Sequence, residues 1–216
     1  MFIGHFAVAY ILISLFPGVT PLVPLSGVSF PDLLWPFLVF AGIEKVSVNP
    51  KTPLQKGIMF LSYPYSHSLL TGALIAAVPG LALAFFVHPL TGIVFVAASA
   101  SHWIFDTVVH LKDLPVLGFG RDYKIGFGLW RWGGIAFAVE LIFYVLVTIL
   151  IMPEGYMLPL LALGVFFHAI NANSFFGFTR KNPASSPQAY ALLALVGFLA
   201  FIFLANLVVS SGGPTP

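Results

Sequence analysis

The sequence predicts an all-α fold: a polytopic transmembrane helical bundle of five to seven membrane segments with a broken or re-entrant first pair, built as a single integral membrane domain over residues 1–216. Three observations predict it. The chain is 59% hydrophobic and only 7% charged. Its mean hydropathy is +1.01. Its apolar residues gather into runs long enough to approach or cross a hydrocarbon core of about 30 Å. No water-soluble domain of this size carries that composition. Nine basic and seven acidic residues with no basic run argue against nucleic acid as a partner and leave membrane lipids. Zero cysteines exclude disulfides, thiolate ligands and thiol nucleophiles, so a metal site must be built from His, Asp and Glu.

In chain order the apolar runs fall at about residues 2–16, 31–43, 66–87, 91–111, 129–152, 156–173 and 188–209, five full spans and two short ones. The first, MFIGHFAVAYILISLF, has no basic flank and no small-residue cleavage site, and reads as a retained helix rather than a signal peptide. It offers roughly 22 Å of helical rise before Pro17. The uncharged, proline-rich GVTPLVPLSGVS that follows reads as non-helical backbone dipping into the membrane, with Pro31 and Asp32 opening the second helix inside the bilayer. Threading seven segments places all nine lysines and arginines, from Lys45 to Lys181, on one side. The positive-inside rule makes that side cytoplasmic, which gives a multi-pass protein of the cell inner (plasma) membrane with its N-terminus inside and the tail SSGGPTP outside. Glu44, Lys45, Lys51 and Lys56 read as a solvated loop. His88, before a proline in an outer turn, reads as interfacial, and His168 as a partner in interhelical bonding.

The stretch SASHWIFDTVVHLKD, residues 99–113, sets His102, Asp106 and His110 four residues apart, on one face of a helix. Ionisable groups inside a membrane segment are costly and mark functional sites by default. By helical rise, Asp32 lies roughly 16 Å, His102 about 13 Å and Asp106 about 8 Å from the cytoplasmic ends of their helices. His67, placed in the first turn of the third helix after an expected N-cap at Ser66, and His5 enter from the same side. Four helices thus send His5, Asp32, His67, His102, Asp106 and His110 to one half of the membrane. Imidazoles and carboxylates together suit a divalent metal, zinc first, with manganese or iron as alternatives, and such an ion would lower the pKa of a bound water to about 7. Glu140 lies near mid-bilayer and needs a partner.

The order His5, Asp32, His67 and the HxxxD of His102 and Asp106 resembles a family of membrane-bound metal-dependent hydrolases, the inner-membrane-associated, LexA-regulated type. The resemblance runs from residue 1 to about 145 and includes the phrases FPDLLWP, YPYSHSLL, SHWIFDTVVHLKDLP and GLW, with the later Glu140. The same order is similar to that of the zinc-dependent phospholipase C and single-strand nuclease superfamily, whose all-helical fold holds up to three zinc ions. That likeness implies that Asp32, His67, His102 and Asp106 hold one metal, with Asp106 bridging to a second near His5 and His110 reaching a third. This chain lacks the superfamily's later HxxxE, since His168 is followed four residues on by Ala172, which implies one or two ions.

The function expected first is a membrane-embedded metal-dependent hydrolase acting on a phosphoester or related ester of a lipid-like substrate at the cytoplasmic leaflet. Asp32, His67, His102, Asp106 and His5 are its expected metal ligands. His5, His110 and Glu140 are its expected catalytic groups, Glu140 as a metal ligand, a base or an acceptor that orients a histidine N–H, the last favoured. Arg121 and Lys124, in the loop after the metal-bearing helix, are expected to bind the headgroup. The alternative is a metal-ion or proton transporter using the same His/Asp cluster. A non-catalytic scaffold would leave that cluster without a use.

Overall fold

Backbone polar groups in hydrocarbon must be satisfied within their own segment, so the apolar runs fold as helices. The computed structural model describes residues 1–211. Its elements in chain order are α1 (Ile3–Leu15), α2 (Leu22–Phe40), β1 (Lys45–Val48), β2 (Ile58–Ser62), α3 (Leu69–Phe86), α4 (Pro89–Val109), β3 (Leu114–Pro115), β4 (Lys124–Ile125), α5 (Gly133–Ile151), α6 (Glu154–Asn171), α7 (Asn173–Phe176) and α8 (Pro187–Ser210). Six helices, counting α6 and α7 as one span, are long and apolar enough to cross a membrane. The protein is an all-α, multi-pass membrane bundle, with sheet confined to the hairpins β1–β2 and β3–β4. The expected outer tail beyond residue 211 lies outside the described residues.

The shortest of the seven main helices is the most enclosed. All eight residues from Ile3 to Tyr10 of α1 are buried, packed by α2, α4, α5 and α6. Enclosure by other helices explains how 13 residues suffice, because a helix surrounded by protein need not match the bilayer's thickness. By contrast, α3 buries only Gly72, Ala76 and Gly80 and lies at the periphery.

Within the first pair the expected boundary moves. Helix α2 starts at Leu22, nine residues before Pro31, so most of the stretch read as non-helical backbone is helix. Pro24 falls in the first turn, where a missing N–H forfeits no bond. Pro31 and Pro36 lie inside the helix and leave carbonyls of the preceding turn short of donors. A neighbouring helix braces this turn: His102 Nδ1 of α4 donates to Val28 O at 2.7 Å, one residue from the Gly27 carbonyl that Pro31 leaves without its helical donor. Tertiary partners of this kind are what make a proline tolerable in a membrane helix, and no local sequence signal announces them.

The three longer connections meet at one end of the bundle. Leu70 N donates to Val116 O at 2.9 Å, Asn182 N to Pro50 O at 3.1 Å and Tyr190 Oη to Gln55 Oε1 at 3.1 Å. All nine basic residues lie in these connections, as the threading required.

Helices α2 and α4 cross closely because Gly27 faces α4. A methyl at Gly27 would stand 2.7 Å from Ala98 Cβ and 2.9 Å from Phe95 O. Small residues at such crossings let membrane helices approach. Asp32 and His102 each lie little more than one turn beyond this crossing, so it sets their separation. Gly27→Val is expected to cost about 1–3 kcal/mol and to weaken metal binding. Gly18→Val, where nothing lies within 4 Å, serves as the control. Thermal unfolding in detergent checks the pair, and equal melting of the two variants would contradict the crossing's role.

Candidate metal centre

Helix α4 presents His102 and Asp106 at i and i+4, and His110 at its C-cap. Asp32 comes from α2, His5 from α1 and His67 from the turn before α3. The structure corrects the placing of His67. Helix α3 begins at Leu69 with Ser68 as N-cap, its Oγ accepting from Gly72 N at 3.2 Å, so His67 precedes the helix and Ser66 is free for another task. His67 Nε2 lies 3.2 Å from Asp32 Oδ1, and His102 Nε2 lies 3.6 Å from Asp32 Oδ2 and 3.3 Å from Asp106 Oδ2. His110 Nε2 lies 3.4 Å from Asp106 Oδ2, and His5 Nε2 3.1 Å from Asp106 Oδ1. The His5 and His102 rings stack at 3.7 Å with 13° between their planes. The amino group of Met1 stands 2.5 Å from Asp106 Oδ1.

Proton bookkeeping shows which lone pairs this cluster presents. A carbonyl oxygen only accepts, so His102 Nδ1 carries the proton in its bond to Val28 O. Ser66 has one hydroxyl proton and gives it to Glu44 Oε2 at 2.6 Å, so Ser66 Oγ accepts from His67 Nδ1 at 2.7 Å. His110 Nδ1 donates to Asp113 Oδ1 at 3.0 Å, with Tyr63 Oη nearby at 3.2 Å. In the neutral state all three imidazoles therefore turn an Nε2 lone pair toward Asp32 or Asp106. Lone pairs facing carboxylates repel unless a cation stands between them, and buried His102 Nε2 has no hydrogen-bond partner. Ligands about 2.1 Å from a tetrahedral zinc stand about 3.4 Å from one another, against 3.2 and 3.6 Å for the two imidazoles on Asp32. Two sets offer atoms close enough for one ion each: Asp32, His67 and His102, and His5, His102 and Asp106. The donor set fits a divalent metal.

Outside the helices the charges reinforce this geometry. Burial works against the Asp113 carboxylate, but its bond to His110 and the facing imidazole hold it below the usual carboxylate range. For His110, burial disfavours the imidazolium, while bonds to Asp106 and Asp113 outweigh it and raise its pKa above the ordinary 6.5. Its protonated ring places a positive charge 3.4 Å from Asp106 Oδ2, where it competes with a metal ion for that carboxylate. Metal affinity is accordingly expected to fall as pH drops through the raised pKa, beginning above pH 6.5. Metal titrations at stepped pH check this, and His110→Ala should move the onset to lower pH.

The other expected site residues divide. Glu140 is buried beside the cluster, but it accepts the backbone N–H groups of Phe2 and of Gly4, the latter at 3.1 Å. Through Oε1 it anchors the start of α1, and it also lines the cavity that reaches the cluster. Arg121 and Lys124 are exposed in the loop closed by Asp122, whose carboxylate takes the N–H groups of Val116, Leu117 and Gly118 at 2.6 to 3.2 Å, and the structure does not bring them to the cluster. His168 Nε2 donates to Phe137 O of α5 at 2.9 Å, an interhelical bond.

The sequence reading missed Glu44. Read as solvated, it is 1% exposed and takes the N–H of Tyr65 at 2.8 Å, the N–H of Ser66 at 2.9 Å and the Ser66 hydroxyl. The available signal was an acid ending an apolar run in a chain with only seven acids. Tyr63 and Asp113 were missed as well.

A cavity of about 520 Å³ reaches the cluster, lined there by Asp32, His67, Asp106 and His110, with His5 and His102 behind them. No lysine or arginine lines it among the described residues. Fold and site together define a polytopic membrane protein with a buried His/Asp centre opening into a mostly apolar cavity. No protein-family model, no curated protein and no solved structure matches the chain.

Proposed function

We propose that this chain is a metal-dependent hydrolase of the inner membrane, acting on a phosphoester or related ester of a lipid-like substrate at the cytoplasmic leaflet. The observation that carries the reading is the convergence of three Nε2 lone pairs on two carboxylates at the foot of an apolar cavity. The reading agrees with the family resemblance in the order His5, Asp32, His67, His102, Asp106. Asp32, His67 and His102 would hold one divalent ion, zinc before manganese or iron, and Asp106 with His5 a second. Bound there, the metal would supply an activated water and an electrophile for the ester oxygen. His102 and His67 keep their Nδ1 protons on Val28 O and Ser66 Oγ, which orients both rings. His110 lines the cavity with Nδ1 held by Asp113, so its Nε2 is the position from which a proton reaches a leaving group.

Purified protein in detergent, where no gradient exists, tests the reading by elemental analysis and by hydrolysis of lipid phosphoesters with and without chelator. Metal-dependent hydrolysis supports it. Ion flux in sealed vesicles without hydrolysis supports a transporter instead. The orientation is tested separately. The chain has no cysteine, so a single cysteine at position 181 reports its side. Labelling by an impermeant thiol reagent is expected only after the membrane is opened, and labelling of intact cells would move the site to the other leaflet.

A further inference from the structure

We propose that the groove between α6 and α8 is the binding site for the hydrocarbon chain of an amphiphile whose phosphoester head lies at the metal centre, and that Gly197 and Ala194 determine what chain enters. The inference rests on the hydrolase reading and adds its substrate class. The cavity's volume of about 520 Å³ lies in the range of small-ligand sites, about 300–1,000 Å³. Its two ends differ chemically. One end is Asp32, His67, Asp106 and His110; the other is Phe167 and Ile170 of α6 with Leu193, Gly197 and Ala200 of α8. Leu193, Gly197 and Ala200 follow i, i+4, i+7 spacing and share one face of α8. From Tyr190 to Ala200 that face extends about 15 Å by helical rise, which makes the site long rather than round.

Access distinguishes a lipid chain from a soluble molecule. Ile170, Leu193 and Val196 line the cavity yet are 63%, 59% and 55% exposed on membrane-crossing helices, so the groove opens sideways into hydrocarbon. At the loop end Asn182 N bonds Pro50 O and Tyr190 Oη bonds Gln55, and Gln55 and Asn182 line the cavity there. A water-soluble ester would gain little from the apolar side chains that dominate the lining. An amphiphile lying in the membrane places its chain along α8 and its head among the carboxylates and imidazoles. Among the described residues no lysine or arginine lines the cavity, and the Met1 amino group there is paired with Asp106, so bound metal would supply the charge that meets an anionic head.

Gly197 leaves the space the chain needs. A methyl there would find Phe2 Cζ as its nearest neighbour at 3.9 Å, an ordinary van der Waals contact, so a side chain can start from this position. The test uses full-length, zinc-loaded protein in detergent and a hexadecyl phosphate probe with a diazirine near the chain end, with labelled peptides mapped by mass spectrometry. Labelling is expected to concentrate in the segments around 167–171 and 193–200. Gly197→Trp and, independently, Ala194→Phe should reduce it at least fivefold while zinc content is unchanged. If label spreads evenly onto the lipid-facing end of α3 at Phe85 and Phe86, or both variants label like wild type, the groove proposal is overturned. Concentrated labelling in a protein that hydrolyses no ester supports the chain site while removing the hydrolase reading, so the two failures are distinguishable.

Discussion

Asp106→Ala is expected to lower metal affinity at least tenfold and to abolish metal-dependent hydrolysis. Both oxygens of Asp106 are committed: Oδ2 faces His102 and His110, and Oδ1 faces His5 and the amino group of Met1. Without the carboxylate, these groups are left buried around an uncompensated space. Removing one partner of a buried charged cluster costs about 3–5 kcal/mol, so the variant should also melt earlier. Asp106→Asn separates the two effects, because it keeps the shape and removes the charge. Asp32→Ala is expected to take the ion from His67 and His102 while leaving the His5 and Asp106 side able to bind. Elemental analysis of wild type and both alanine variants then reads one ion or two. A wild type that takes up no transition metal, together with alanine variants of equal stability, would sink the centre.

Glu44→Gln should weaken metal binding about 10- to 100-fold although Glu44 touches no ligand position. The reason is the direction of one proton. Glu44 takes the Ser66 hydroxyl proton at 2.6 Å, which makes Ser66 Oγ an acceptor for His67 Nδ1 and leaves Nε2 bare toward Asp32. A glutamine amide can present its NH₂ to Ser66 Oγ, so the hydroxyl turns and donates to His67 Nδ1. The ring then carries its proton on Nε2, where the metal should bind. Ser66→Ala removes the relay without reversing it and should cost less than Glu44→Gln. Metal competition titrations rank the three proteins, and equal affinities would show that His67 needs no such orientation.

The reach of the sequence follows from what local rules measure. The spacing of His102, Asp106 and His110 fixes a helix face, and helical rise fixes depth, so the convergence of Asp32, His67 and His102 was legible before any contact was known. Rise says nothing of rotation about a helix axis. That is why the depth of Glu140 was legible while the bonds of its Oε1 to the N–H groups of Phe2 and Gly4 were not. The start of α2 was misread because Pro24 and Pro31 signal a break locally, whereas packing against α1, α4 and α8 holds the helix through them. Glu44 was hidden for a similar reason, since its three donors come from residues 65 and 66 across the β1–β2 hairpin, whose strands are too short to announce themselves.

The ligand set is strung along the chain in an order that matters while the protein is being made. Asp32 emerges with α2, when His5 is the only imidazole already synthesised, and a carboxylate at the centre of a membrane helix costs about 3 kcal/mol during insertion. His67 follows after the hairpin, α3 adds no ligand, and His102 arrives only with α4. The centre is therefore incomplete until the ribosome has passed residue 110 of 216. An ion held by these residues would load only after α4 has joined α1 and α2, and a nascent chain arrested between α3 and α4 would carry an unshielded acid in the bilayer.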